Sequence, residues 1–202
     1  MQITPHKVLV EGLYGAFIIF WFLISYALSY QGINLLLSPL IDSIETVSFL
    51  VFLPHGVRII AVYFLGWKAV LPLFIAHLVS YQLFDQMPPY WAQIPLAFVG
   101  ALSAFIAFEM MRVCDLNSYY RVKASAERPN TIGPPMLAGI LAAILNGLLT
   151  LAILMTANDA DADLSLLLGY FVGDLLGVGV LLSFVFTLRR LVVSLGEAQN
   201  RY

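Results

Sequence analysis

Charge is what this sequence has least of. Lys and Arg number 10 and Asp and Glu 12 in 202 residues, together 11%, while 61% of the chain is hydrophobic. A soluble domain is about a quarter charged and about half apolar. The composition therefore excludes an ordinary soluble domain, and a mean hydropathy of +0.90 points to a membrane. Cysteine is nearly absent. Cys114 stands alone, which excludes an intrachain disulfide and a Cys-rich metal site. A net charge of -2, with no basic run interleaved with aromatics, excludes nucleic acid as a partner.

Signatures of catalysis are missing as well. There is no HExxH, no GxSxG, no phosphate-binding loop and no GxGxxG between a strand and a helix. Asp159, Asp161 and Asp163 alternate like the start of a calcium loop. Such a loop needs Gly at its sixth place and Glu at its twelfth, and Leu164 and Tyr170 stand there. A solvated turn is expected instead. His55, His77 and Asp174 are too little to build an acid–base or metal centre on. The expectation is no enzyme, no cofactor and no metal.

Long apolar runs are abundant. A bilayer core takes about 20 apolar residues per helix, and six segments are candidates, at about 8–30, 45–66, 69–84, 91–111, 132–157 and 165–188, the third of them short. The first is too long for a signal-peptide core and has no clear cleavage site, so it reads as a retained helix. The expected fold is an all-α polytopic helix bundle forming one integral membrane domain over 1–202, with no soluble domain attached. The second segment is broken near Pro54, because proline lacks an N–H and clashes with the preceding turn. Alternatively, residues 35–53 lie on the surface and Pro54 opens a helix of about 13 residues, a position proline suits.

The basic residues orient the bundle. With both termini inside, Lys7, Lys68, Arg112, Arg121, Lys123, Arg128, Arg189, Arg190 and Arg201 all fall on the inner side. Cytoplasmic loops carry such an excess. The outer loops hold Asp42, Glu45, Asp85, Asp159, Asp161 and Asp163 instead. An inner membrane of bacterial type is the expected location, with lipid as the main partner.

Arg58 is the exception. It lies ten residues from Lys68, about 15 Å along a helix, so it sits near the middle of a core about 30 Å thick. Asp174 is ten residues from Leu164, His77 nine from Lys68, and Asn146 twelve from Asn158, all at similar depth. His55 shares a helical face with Arg58. A lone buried charge is costly and a paired one less so, so Arg58 and Asp174 are expected to meet. His55, Arg58, His77, Asn146 and Asp174 form the candidate ligand site. A small anionic ligand would be anchored by Arg58, whose planar fork matches carboxylate or phosphate. Glu11 and Glu109 lie near the inner ends and are expected to be solvated.

Two stripes of small residues accompany these positions. Gly139, Ala143 and Gly147 recur by four on the fifth segment, and Gly169, Gly173 and Gly177 on the sixth. Small residues at that spacing let helix backbones approach closely, and the two stripes are expected to face each other.

Two stretches carry a resemblance. "FLPHGVRIIAVYFLGWKAVLPLFIAHLV", with Pro54, Gly56, Gly66, Lys68 and Pro72, and "GYFVGDLLGVGVLLSF", with Gly173, Asp174 and Gly177, resemble the MASE1 family of integral membrane sensory domains. They cover about a quarter of the chain. The resemblance implies a membrane sensor or small-ligand-binding module in signal transduction. The family has more helices and usually a kinase or cyclase output domain, and this chain departs from it in both respects. A separate signalling protein would then receive the signal. The size and six segments also suit the substrate-binding subunit of an energy-coupling-factor transporter. Such subunits usually carry a small-residue docking stripe on helix one, where this chain offers only Gly12 and Ala16. A third reading is a structural membrane partner.

Overall fold

The computed structural model describes residues 5–32, 51–84, 88–116, 119–120, 132–156 and 164–199. Among them there is no strand. Helix α1 spans Pro5–Ala27 and runs on through one π-helical turn, Leu28–Gly32. Helix α2 spans Leu53–Leu65, and a 3₁₀ turn, Gly66–Ala69, leads into α3, Val70–Leu83. Helices α4, Tyr90–Val113, α5, Gly133–Met155, and α6, Leu164–Gln199, complete the chain. Five stretches are long and apolar enough to cross a membrane: Leu9–Gly32, Leu53–Leu83, Tyr90–Val113, Gly133–Met155 and Leu167–Val192. This is the build of an integral membrane protein.

The stretch Leu53–Leu83 is not one rod. Arg58 and His77 both reach Gly100 of α4, and Phe52 and Phe84 both pack on Tyr26 of α1. Residues at the two ends of the stretch therefore share one level, and the chain reverses between them. The reversal falls at Gly66, whose φ of 59° lies where glycine alone is unstrained. Helix α2 has 13 residues and α3 has 14, so each rises only about 20 Å.

Helix α2 begins at Leu53, not near residue 45. Phe52 caps it, Pro54 occupies the first turn, and residues 51–52 are not helical. Proline's missing donor costs nothing there, because first-turn N–H groups lack intrahelical partners anyway. Two other groups hold the start in place. Phe52 N donates to Gly173 O of α6 at 2.9 Å, and Leu53 N donates to Ser29 Oγ at 2.9 Å. The short-helix alternative thus describes α2, while its surface segment, residues 35–53, lies outside the described residues up to residue 50.

Helix α2 sits at the centre. It packs against α1, α4, α5 and α6, and nine of its thirteen residues are buried. Helices α1, α3, α4, α5 and α6 follow one another, each touching the next in that order. A helix apolar on every side belongs inside, and α2 has that pattern apart from His55 and Arg58. Helices α4 and α5 pack on each other, and both bury alanines, with Ala97, Ala101, Ala104, Ala138 and Ala142 fully buried. The outside is greasy: Leu9, Phe17, Leu71, Ile94, Val180 and Phe184 are all exposed.

Helix α6 runs eleven residues past the expected end at 188. Hydropathy falls after Arg189, but no proline or turn signal stops the backbone. The apolar run marks where lipid ends, and the helix continues beyond it. Lys68, Arg112 and Arg189 gather at one end of the bundle. Lys68 Nζ lies 2.8 Å from Glu11 Oε1, Arg112 pairs with Glu109, and Tyr119 donates to Glu109 at 2.6 Å. Burial, then that hydrogen bond, raises the Tyr119 phenol above its usual range.

Candidate functional site

The interior of this bundle offers Arg58 few acceptors, and the guanidinium uses those there are. Nη1 donates to Gly100 O at 3.1 Å and to Asn146 Oδ1 at 3.2 Å, and Nη2 donates to Asp174 Oδ1 at 3.2 Å. One side chain on α2 is thereby tied to α4, α5 and α6. Asn146 closes the ring, its Nδ2 donating to Asp174 Oδ2 at 3.0 Å. Arg58 is 1% exposed and Asp174 0%. Taking two such ions out of water costs several kcal/mol each. Their mutual attraction and the added hydrogen bonds offset that only because the geometry is nearly complete.

His55 joins one turn earlier on α2. Its Nε2 lies 3.0 Å from Gly139 O, and its Nδ1 lies 3.4 Å from Asp174 Oδ2. The second distance is within ion-pair reach, yet Nδ1 makes no hydrogen bond. His77, on α3, packs its ring at a tilt against Phe22, 4.6 Å between ring centroids, and presses on Gly100. A Cβ on Gly100 would overlap that ring. Among the described residues, three buried nitrogens lack a hydrogen-bond partner: His55 Nδ1, Arg58 Nε and His77 Nε2.

An aromatic layer covers the cluster toward the start of α2. The Phe52 ring centroid lies 5.8 Å from Arg58 Cζ, a cation–π contact. Tyr26 packs on Phe52 edge-on and stacks on Phe84. A cavity of about 220 Å³ lies elsewhere, toward the basic end, lined by Tyr63, Phe64, Tyr120, Leu182, Phe186 and Arg189 among others. None of the five candidate residues lines it.

All five candidates from the sequence therefore converge, four of them by direct polar contact and His77 through Gly100. Sequence reasoning missed the backbone acceptors, Gly100 and Gly139, and the ring of Phe52. A carbonyl has no residue signature. One clue did exist for Gly100, since it stands among Ala97, Ala101 and Ala104 in a buried small-residue seam.

The small-residue stripes are placed differently from the expectation. On α5, Gly139 faces Val178 and Gly147 faces Leu167, both side chains of α6. The α6 glycines do not answer them. Gly177 meets the backbone of Phe52 and Leu53, Gly173 accepts the bond from Phe52 N, and a Cβ on Gly169 would meet nothing within 4 Å. The reason is α2, which begins inside the bundle and needs a flat surface where its chain passes α6. No group of three or more His, Cys, Asp or Glu that could hold a metal ion occurs among the described residues.

Comparison with protein-family models, with curated proteins and with solved structures finds no match to this chain. Any functional reading therefore stands on the site itself.

Proposed function

We propose that the chain is an integral membrane sensor or small-ligand-binding module, organised like the MASE1 family, whose responsive centre is the Arg58–Asp174 cluster. It crosses an inner membrane of bacterial type six times, α2 and α3 counting as one shallow pair, with both termini on the basic side. Its direct ligand is a small anion. The observation that carries this reading is the trio of unpartnered buried nitrogens around one ion pair. A centre built only to lock helices together gains nothing from unpaired polar groups, each of which costs about 1–3 kcal/mol. A carboxylate or phosphate that displaced Asp174 from Arg58 would find a planar fork of donors, with His55 and His77 beside it. The aromatic layer of Phe52, Tyr26 and Phe84 is the natural gate.

Thermal unfolding of the purified protein, with small carboxylates and inorganic phosphate added in turn, tests this. One of them should raise the melting temperature of the natural protein and leave the Arg58→Leu/Asp174→Leu double variant unmoved. Equal stabilisation of both proteins would contradict an anion site at Arg58. A signalling protein is the partner expected to copurify. An ATPase module in its place would turn the reading toward transport.

A further inference from the structure

Proton accounting at His55 leads past the anion reading. A carbonyl oxygen only accepts, so the 3.0 Å contact with Gly139 O places a hydrogen on His55 Nε2. A neutral imidazole then presents a bare lone pair at Nδ1. That lone pair faces Asp174 Oδ2 at 3.4 Å, with both residues fully buried. Two acceptors confronting each other inside a bundle repel. A proton on either one turns the contact into a hydrogen bond, and a proton on His55 Nδ1 makes it a charge-assisted one, whose usual length is about 2.7–2.9 Å. The observed spacing is longer than that, and Nδ1 makes no hydrogen bond across it. Closing the gap by a few tenths of an ångström requires only a small movement of α2 toward α6.

We propose that His55 Nδ1 and Asp174 Oδ2 form a proton-binding site at the centre of the bundle, a site whose ligand is the hydrogen ion itself. The surrounding groups set its terms. Arg58 of α2 opposes the added charge, and His77 and Tyr81 of α3 lie within electrostatic reach of Arg58. Tyr170 of α6 lies within electrostatic reach of Asp174, and Tyr26 of α1 within reach of Tyr170. Helix α4 contributes the Gly100 carbonyl and the buried Ser103 hydroxyl that donates to it, and α5 contributes Asn146 and the Gly139 carbonyl. The ion pair of Arg58 and Asp174 is neutral as a unit. Proton capture therefore leaves the cluster with a net positive charge, and it draws on the same carboxylate that holds Arg58, Asn146 and, through Gly173 and Phe52, the start of α2.

The test uses the full chain in detergent with isotope-labelled histidine and no added anion, so it stands or falls apart from anion binding. Nitrogen NMR follows the imidazole signals from about pH 8 to about pH 5, the window in which histidine serves as a switch. His55→Gln identifies the His55 signals by their loss. The expected result is a His55 ring protonated on Nε2 alone at the upper end and on both nitrogens at the lower end. In Asp174→Asn the second proton should not appear at the same pH. Two results would overturn the proposal: a second proton arriving at the same pH in Asp174→Asn as in the natural protein, or no change at His55 while the protein stays folded. If Asp174→Asn fails to fold, potentiometric titration of the natural protein against His55→Gln decides. The natural protein should take up one more proton over the window, and equal uptake would overturn the site.

Discussion

Arg58 Nη2 and Asp174 Oδ1 lie 3.2 Å apart across 116 residues of sequence, joining the central helix α2 to the last helix α6. Neither charge is tolerable alone at that depth, where a lone ion costs about 2.5–3.5 kcal/mol on insertion scales. The pair thus explains why the shortest and most buried helix carries the chain's one deep arginine. Asn146 and the Gly100 carbonyl share Arg58 Nη1, and they spread the interaction over four helices.

Asn146 is the member of the cluster that carries no charge, so its removal isolates the hydrogen-bonding part. Asn146→Leu removes an acceptor from Arg58 and a donor from Asp174 while keeping the branched shape of the side chain. Each group left unsatisfied costs about 1–3 kcal/mol, so the melting temperature in detergent should fall by several degrees. Leu148→Ala, two residues on and half exposed, should leave it nearly unchanged. Equal effects from the two would show that Asn146 is not tied into the cluster.

The glycines of α6 are expected to differ sharply in tolerance. A Cβ at Gly177 would overlap the Phe52 carbonyl, which is backbone and has little room to shift, while Gly169 faces open space. Gly177→Ala should destabilise by about 1–3 kcal/mol, as overpacking does. Gly169→Ala should be neutral or slightly stabilising, since alanine is the better helix former by about 1 kcal/mol. Paired thermal unfolding of the two variants checks this, and similar melting temperatures would contradict the placing of α2 against α6.

The six-crossing arrangement with both termini on the basic side is tested by labelling. After Cys114→Ser, an impermeant thiol reagent applied from outside should react with Asp161→Cys and spare Ser125→Cys. Both positions lie outside the described residues. Reaction at the second position and not the first would invert the proposed topology.

Much of the architecture was legible because lipid imposes simple rules on sequence. Helices α1, α3, α4 and α5 end within about four residues of where the apolar runs end. The meeting of Arg58 and Asp174 followed from counting residues to the nearest polar end and multiplying by the rise per residue. The start of α2 was harder. The apolar run continues upstream of Pro54, so hydropathy alone extends the helix, and only proline's missing donor argues for a later start. Spacing by four identified the small-residue stripes but says nothing about azimuth. Which helix Gly173 and Gly177 face depends on where Phe52 passes. The acceptors at Gly100 and Gly139 were invisible for a different reason, since every residue has a carbonyl and tertiary structure alone decides which one a buried donor meets.

The most direct test of the account is thermal unfolding of four proteins in one detergent: the natural chain, Arg58→Leu, Asp174→Leu and the double variant. Breaking a buried pair by removing one partner typically costs about 3–5 kcal/mol, because the other charge is left behind. If Arg58 and Asp174 are coupled as the structure places them, each single variant should melt well below the natural chain, and the double variant should melt above both singles. Additive losses, with the double variant the least stable of the four, would show that the two charges do not support each other and would contradict the account.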